Sequence, residues 1–169
     1  MSEKVSIAQA LRRIKKLKGQ IGEHTTRATA NVSYVSTKVP AFRFDDEMTG
    51  LVEAKTAMID LETRVAVANA TALITWKSHN WTLAKAIRHL QETKSDIALL
   101  KGLNLRAETV KEREQEWSDE EMKTLTRVTE VTYVSDLTEA ERDSRVKTLQ
   151  DQFEELNNLV EDANHSVSV

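Results

Sequence analysis

The residues best suited to chemistry lie in one short segment, ANATALITWKSHNW, at positions 68–81. Two of the three tryptophans, Trp76 and Trp81, stand on either side of a Lys-Ser-His-Asn turn. Indole rings offer flat faces to a base or a sugar ring, and neutral amides and hydroxyls offer hydrogen bonds. The segment therefore predicts a binding site. Its neutral hydrogen-bonding candidates are Asn69, Thr71, His79 and Asn80.

Acidic residues are absent from two windows, Thr63 to Gln91 and His24 to Phe44, although 27 of the 169 residues are Asp or Glu. Arginine offers phosphate a bidentate pair of donors, and lysine a mobile point charge. Thr82, a predicted helix start, adds free backbone N–H groups and a favourable dipole. We therefore predict a site for a small anionic, nucleotide-derived ligand, formed by Lys38, Arg43, Asn69, Thr71, Trp76, Lys77, His79, Asn80, Trp81 and Arg88.

Plain packing is the competing interpretation of the same segment. Trp76 and Trp81 also suit a corner where two helices meet, which needs aromatic contacts but no ligand. Asn69 also suits a position that sets the register of a coiled-coil-like seam. An acid-free window can arise by chance in a helical protein. The residue types alone leave both interpretations open.

Other chemistries find no support in the residue pattern. The histidines at 24, 79, 89 and 165 lack metal-ligand spacing, and the chain has no cysteine. No G-x-S-x-G, P-loop or G-x-G-x-x-G motif occurs, so we predict no metal, no cofactor and no enzymatic activity. The net charge of −3 argues against duplex nucleic acid as a partner. No apolar run of about 18 residues exists to span a membrane, and we expect a cytoplasmic protein.

Helical spacing of apolar residues dominates the chain. It predicts a helix from Ser6 to about Ala30, with a close contact or bend at Gly19 and Gly22. A second helix is capped by Asp45 or Asp46 and carries an apolar seam up to Ala72, in steps of three and four. The third begins at Thr82 and runs to about Glu116, and the fourth follows a capping box at Thr138–Glu141. A further capping-box pattern is Ser118–Glu121.

Two β-rich stretches, VSYVS (32–36) and RVTEVTYVS (127–135), predict strands that pair as an antiparallel ribbon. The predicted fold is thus mainly α, an antiparallel helical bundle with coiled-coil-like seams and a small two-stranded β-ribbon. We expect one domain over residues 1–169. The seams fit packing within one chain. Long helices with few aromatic residues nevertheless bury little surface, so we also expect a homo-oligomer.

Residues 64–103 resemble a family of small helical proteins from actinobacteria, other bacteria and phages, often described as septicolysin-like. That family carries an R-I-N-x-T-N-like segment, a short polar turn and T-L-x-x-A-L on the next helix. Arg64 to Thr71 and Thr82 to Ile87 hold those places here. The ending VEDANHSVSV is similar to the family's N-W-x-T-like tail, with His165 in place of the usual Trp.

The resemblance implies an oligomeric helical bundle of unassigned activity. Its phage members suggest a sponge, which is an oligomer that holds a nucleotide-derived immune signal of the host without cleaving it. Such a protein would work in the host cytoplasm and counter host defence. The alternative is a structural or scaffolding oligomer, phage or bacterial, whose polar corner is an interface between subunits.

Overall fold

Helices form most of the computed structural model, which describes residues 4–118 and 123–169, apart from the side chains of residues 114, 116–118 and 123–125. The prediction of a mainly α bundle with a small β-ribbon is confirmed. The helices are α1 (Ile7–Asn31), α2 (Phe44–Thr71), α3 (Leu83–Gly102) and α4 (Glu139–Ser166). Two antiparallel hairpins interrupt them, β1–β2 (Leu73–Trp76 and His79–Thr82) and β3–β4 (Thr109–Ser118 and Lys123–Thr132).

The chain divides into two compact units. The first comprises Met1–Gln91 and Glu154–Val169, and the second comprises Glu92–Phe153. Both α3 and α4 contribute residues to each unit, and the single domain stays a prediction. Within the described residues, no helix is both long and apolar enough to cross a membrane.

Three of the predicted helix starts are confirmed by their caps. Ser6 and Gln9 form a reciprocal capping box at the start of α1. The backbone N–H of Lys85 donates to the Thr82 hydroxyl at 3.2 Å. Thr138 and Glu141 form the capping box before α4, and the hydrogen bonds that Thr138 donates from its backbone N–H and hydroxyl lower the pKa of the Glu141 carboxyl.

The predicted cap of α2 at Asp45 or Asp46 is wrong. The N-cap is Arg43, without a side-chain hydrogen bond, and both aspartates lie inside the first turn. Acidic side chains in that turn still favour the helix, because they face the positive end of its dipole. The start of α2 is thus stabilised by acidic side chains near its positive end and not by a side-chain cap.

The α1 and α2 helices pack side by side in antiparallel directions. The predicted α2 seam is buried at Leu51, Ala54, Leu61, Val65 and Ala68. A salt bridge of 2.9 Å joins Lys18 to Glu62 across the pair. Nearer the α1–α2 loop, Nδ1 of His24 lies 2.6 Å from the buried Glu47 carboxylate.

Gly50 is the glycine that permits this close contact. A Cβ built there would lie 2.6 Å from Cε1 of His24. Gly19 and Gly22, where a close contact was predicted, have nothing within 4 Å of a built Cβ.

A second apolar row on α2 faces away from the buried seam. This outer stripe consists of Met48, Val52, Ile59 and Ala66, spaced by four, seven and seven residues. Val52 is 58% exposed and Ile59 is 59% exposed. Apolar residues at heptad spacing on a helix surface are typical of a seam that another helix covers.

The β-structure differs from the prediction. Residues 32–36 form bends and turns, so the predicted strand there and its pairing with 127–135 are wrong. The strand β4 pairs instead with β3, in a register that places Thr109 opposite Thr132. The third helix accordingly ends at Gly102 and not near Glu116. Ser118, the first residue of the capping box predicted at Ser118–Glu121, ends β3, and the rest of that box lies outside the described residues.

Candidate functional site

The β1–β2 hairpin turns through two residues with positive φ, Lys77 at 46° and Ser78 at 65°. Two-residue hairpin loops with both central residues in this region favour Asn-Gly, because other side chains crowd the backbone. A left-handed residue other than glycine costs roughly 1–2 kcal/mol. Lys77 and Ser78 are thus poor choices for turn geometry alone, and strain of this kind concentrates at functional sites.

A Ser78→Gly variant tests that strain. We expect it to raise the free energy of unfolding by about 1 kcal/mol, since glycine adopts the left-handed conformation without a steric penalty. Chemical denaturation measures the change. The matched control is Ser144→Gly on α4, which should destabilise by roughly 0.5–1 kcal/mol because its backbone is helical. A loss of stability in Ser78→Gly would contradict the strain argument.

Three aromatic rings pack together behind this turn. The ring centroids of Trp76 and Trp81 lie 4.9 Å apart at an interplanar angle of 83°, and His89 lies 5.3 and 5.2 Å from them. Trp76 is only 5% exposed and Trp81 is half-buried. Trp76 is therefore a core residue of the hairpin, and the predicted stacking face on it is closed by packing.

Two lysines lie against these indoles. Lys77 Nζ is 4.4 Å from the Trp76 ring centroid, and Lys85 Nζ is 4.0 Å from that of Trp81. Attraction between an ammonium group and an indole face restrains each charge. Neither lysine forms an ion pair with a carboxylate of the described residues. The cluster thus carries two restrained positive charges that remain available to an anion.

The exposed polar residues of the hairpin are partly committed to it. The Thr75 hydroxyl donates to Oδ1 of Asn80 at 3.0 Å, so the Asn80 amide N–H groups can still donate elsewhere. Nδ1 of His79 lies 2.7 Å from the Lys77 carbonyl oxygen. Because a carbonyl only accepts, Nδ1 carries the proton, and a neutral His79 presents Nε2 as an acceptor.

Asn69 and Trp76 each hold a buried polar atom that is unsatisfied within the described part of the chain. The atoms are the Asn69 amide oxygen and the Trp76 indole nitrogen, one acceptor and one donor. An unsatisfied buried group costs roughly 1–3 kcal/mol. The region around the hairpin therefore retains hydrogen-bonding capacity that the fold itself leaves unused.

The remaining predicted residues are placed less favourably. The Thr71 hydroxyl donates to the Val67 carbonyl at 2.9 Å, and Arg88 reaches Oε1 of Gln91 at 3.4 Å. Lys38 and Arg43 precede α2, whereas the hairpin follows it. That 28-residue helix is about 40 Å long at the usual rise per residue. The structure thus gathers Trp76, Lys77, His79, Asn80 and Trp81 but leaves Lys38 and Arg43 at the opposite end of α2.

A third acid-free stretch, missed in the sequence, runs from Lys4 to Gly22 and contains Arg12, Arg13, Lys15, Lys16 and Lys18. The same signal, a local absence of Asp and Glu, would have found it. Lys85 was likewise visible within an acid-free window, but only the structure shows its contact with Trp81. Because α1 and α2 are antiparallel, the basic half of α1 lies along the half of α2 that leads into the hairpin.

A separate cavity of about 460 Å³ lies between α3 and α4 in the second unit. It is lined by three leucines, two hydroxyl side chains, one acid and one base: Leu99, Leu100, Leu149, Ser144, Thr148, Asp96 and Arg145. None of these residues lies in one of the three long acid-free stretches of the sequence. Among the described residues, no group of three or more His, Cys, Asp or Glu side chains is arranged to hold a metal ion.

Comparisons with known proteins bear on the fold alone. No family model matches the chain, and no curated protein matches it. The chain is similar to a crystal structure of a functionally unknown conserved protein from Corynebacterium diphtheriae, with 15% sequence identity and a TM-score of 0.70 over 99% of each chain. The septicolysin-like resemblance stays a prediction. The shared architecture extends over the whole length, which places this arrangement of helices and hairpins among known folds.

Proposed function

We propose that this protein is a non-catalytic homo-oligomer that binds and sequesters a small anionic, nucleotide-derived ligand at the β1–β2 hairpin. The observation that carries the proposal is the pair of ammonium groups of Lys77 and Lys85, held 4.4 and 4.0 Å over two indoles. Charges restrained before binding lose less conformational entropy when a ligand arrives. They also attract an anion in a window where the chain supplies no acid.

Charge-assisted hydrogen bonds would supply most of the affinity. The exposed Lys77 and Lys85 would contact phosphate oxygens, and the Asn80 amide would donate to a neutral acceptor. Trp81, half-buried, would offer the ligand its exposed edge, because Lys85 already occupies one face. The site is therefore suited to holding a phosphate against the hairpin rather than to enclosing a base between two rings.

Sequestration rather than turnover is the activity we propose. The resemblance to a family with phage members extends the proposal to a sponge that lowers the free concentration of a host immune signal. The outer stripe of α2 supports the oligomer, since apolar side chains at heptad spacing favour association with another helix. A scaffolding protein remains the alternative, and the ligand experiment distinguishes the two.

The test is calorimetric titration of the purified protein with cyclic and ADP-ribose-type nucleotides. We expect saturable binding that weakens by roughly tenfold to a hundredfold in Lys77→Ala and in Lys85→Ala, since a charge-assisted contact contributes roughly 1.5–3 kcal/mol. Lys94→Ala, on α3 outside the acid-free window, is the matched control and should bind normally.

The fate of the ligand separates sequestration from catalysis. Ligand recovered intact after heat denaturation supports a sponge, whereas a chemically altered product would establish turnover. If no nucleotide binds and Lys77→Ala changes nothing, the ligand proposal fails and scaffolding becomes the better account.

A further inference from the structure

A groove on the α1–α2 pair gathers positive charge at a place separate from the hairpin. Each helix lines it with residues spaced by three, four and seven, the spacing of a single helix face. The groove holds about 440 Å³ and is lined by Arg13, Lys16, Leu17 and Gln20 of α1 and by Ala57, Asp60, Leu61 and Arg64 of α2. Its lining thus contains three cations and one carboxylate.

Two of the three cations of this groove, Lys16 and Arg64, have no carboxylate partner among the described residues. Arg64 is half-buried, and a guanidinium withdrawn from water without a counter-ion costs free energy. The α1 face adds no acid, because the sequence from Lys4 to Gly22 contains none. An anion from solution would relieve that cost.

The floor of the groove is apolar. It is formed by Leu17, Ala57 and Leu61, and Leu61 is 8% exposed. A bare phosphate ion would use the charges and leave this floor uncovered. A ligand that carries both a phosphate and a compact organic group would use both surfaces, as ligand sites commonly combine apolar walls with a few placed polar groups.

We propose that this groove is a second anion site, which binds the phosphate monoester of a compact organic molecule. Arg64 offers the phosphate a bidentate pair of N–H donors, and Lys16 supplies a point charge from the opposite wall. The organic part lies on Leu17 and Leu61. The site goes beyond the hairpin proposal and shares no residue with it.

The test is titration of the full chain, labelled with nitrogen-15, with adenosine 5′-monophosphate as the probe. Amide shifts of residues 13–20 and 57–64 should saturate together. Adenosine, which lacks the charge, and inorganic phosphate, which lacks the apolar part, should each bind at least tenfold more weakly. The variants Lys16→Gln and Arg64→Gln should each weaken binding of the monophosphate by roughly tenfold to a hundredfold, because each removes one charge-assisted contact.

Lys15→Gln is the matched control, since Lys15 is the sequence neighbour of Lys16 but lies outside the groove lining. It should bind like the unmodified protein, and Lys77→Ala should leave these groove shifts unchanged. If Lys15→Gln weakened probe binding as much as Lys16→Gln, the probe would be attracted by the basic surface of α1 in general and not by this groove, which would contradict the proposed site. Binding lost in Lys77→Ala but kept in Arg64→Gln would assign the ligand to the hairpin, and no saturation at millimolar probe would reject the groove outright.

Discussion

Gly50→Ala should lower the free energy of unfolding by about 2 kcal/mol, although alanine is the better helix former. The added Cβ would lie 2.6 Å from Cε1 of His24, well inside contact distance. His24 can swing away only by giving up its 2.6 Å contact with Glu47, a carboxylate that is 7% exposed. Both outcomes are costly. If His24 stays in place, its ring overlaps the new Cβ, and if it moves away, the buried Glu47 carboxylate loses its partner.

Urea denaturation followed by far-UV circular dichroism measures this loss. Gly19→Ala and Gly22→Ala are the matched controls, since both have open space at the built Cβ, and each should stabilise by up to about 1 kcal/mol. In a His24→Ala background the overlap disappears, and Gly50→Ala should become neutral or stabilising. A Gly50→Ala protein as stable as the unmodified one would show that α1 and α2 separate easily at this point.

Ile59→Lys should convert the proposed oligomer into monomers. Ile59 is 59% exposed at the centre of the outer stripe, with Val52 and Ala66 seven residues to either side. In a two-fold pairing of α2 with α2 the substitution acts in both subunits and brings two like charges together. Burial of one such side chain contributes about 1.5–3 kcal/mol, so the dissociation constant should rise by roughly a hundredfold or more.

Sedimentation velocity at micromolar concentration measures the association. Val134→Lys is the control, because Val134 is 86% exposed and lies outside α2. It should leave the oligomer intact. The stripe would be excluded as the interface if Ile59→Lys sedimented like the unmodified protein, and the oligomer itself would be excluded if the unmodified chain were already a monomer.

Helices were predictable from the sequence where local signals agreed with one another. Ser6, Thr82 and Thr138 each combine a capping hydroxyl with apolar residues at helical spacing, and all three caps form. Arg43 gives no such signal, since it contributes no side-chain hydrogen bond as an N-cap. The apolar α2 seam was predictable because burial at three- and four-residue steps is a property of one helix.

Strands were harder to predict from the sequence, because their stability depends on pairing with another strand. Residues 32–36 have β-branched and aromatic residues but pair with no strand of the described residues, and they form bends and a turn. The strand β3 carries alternating charges that look like a helix surface, yet it pairs with β4 along its full length. The β1–β2 hairpin was likewise not predicted, because its Lys77–Ser78 loop lacks the Asn-Gly pair that is typical of such turns.

The candidate site was predictable in composition but not in arrangement. The absence of acid around Lys77 and Lys85 is visible in the sequence, whereas their placement over Trp76 and Trp81 depends on the hairpin. Arg43 lies far from these residues, because the full length of α2 separates it from the hairpin. A stretch of sequence without acids gives no information about such distances. The separation of basic from acidic residues along the chain can thus be predicted from one sequence. Which of those basic residues come together in space depends on the fold.

The packed indoles of Trp76 and Trp81 also give the hairpin an optical signature. Two such chromophores 4.9 Å apart in a fixed, nearly perpendicular arrangement should couple and produce a near-ultraviolet circular dichroism band. That band depends on fixed packing and should vanish when the rings become mobile, even with the helices intact. The remaining tryptophan, Trp117, belongs to β3. In a Trp117→Phe protein the tryptophan part of the near-ultraviolet spectrum would therefore come from the hairpin alone, without an attached dye.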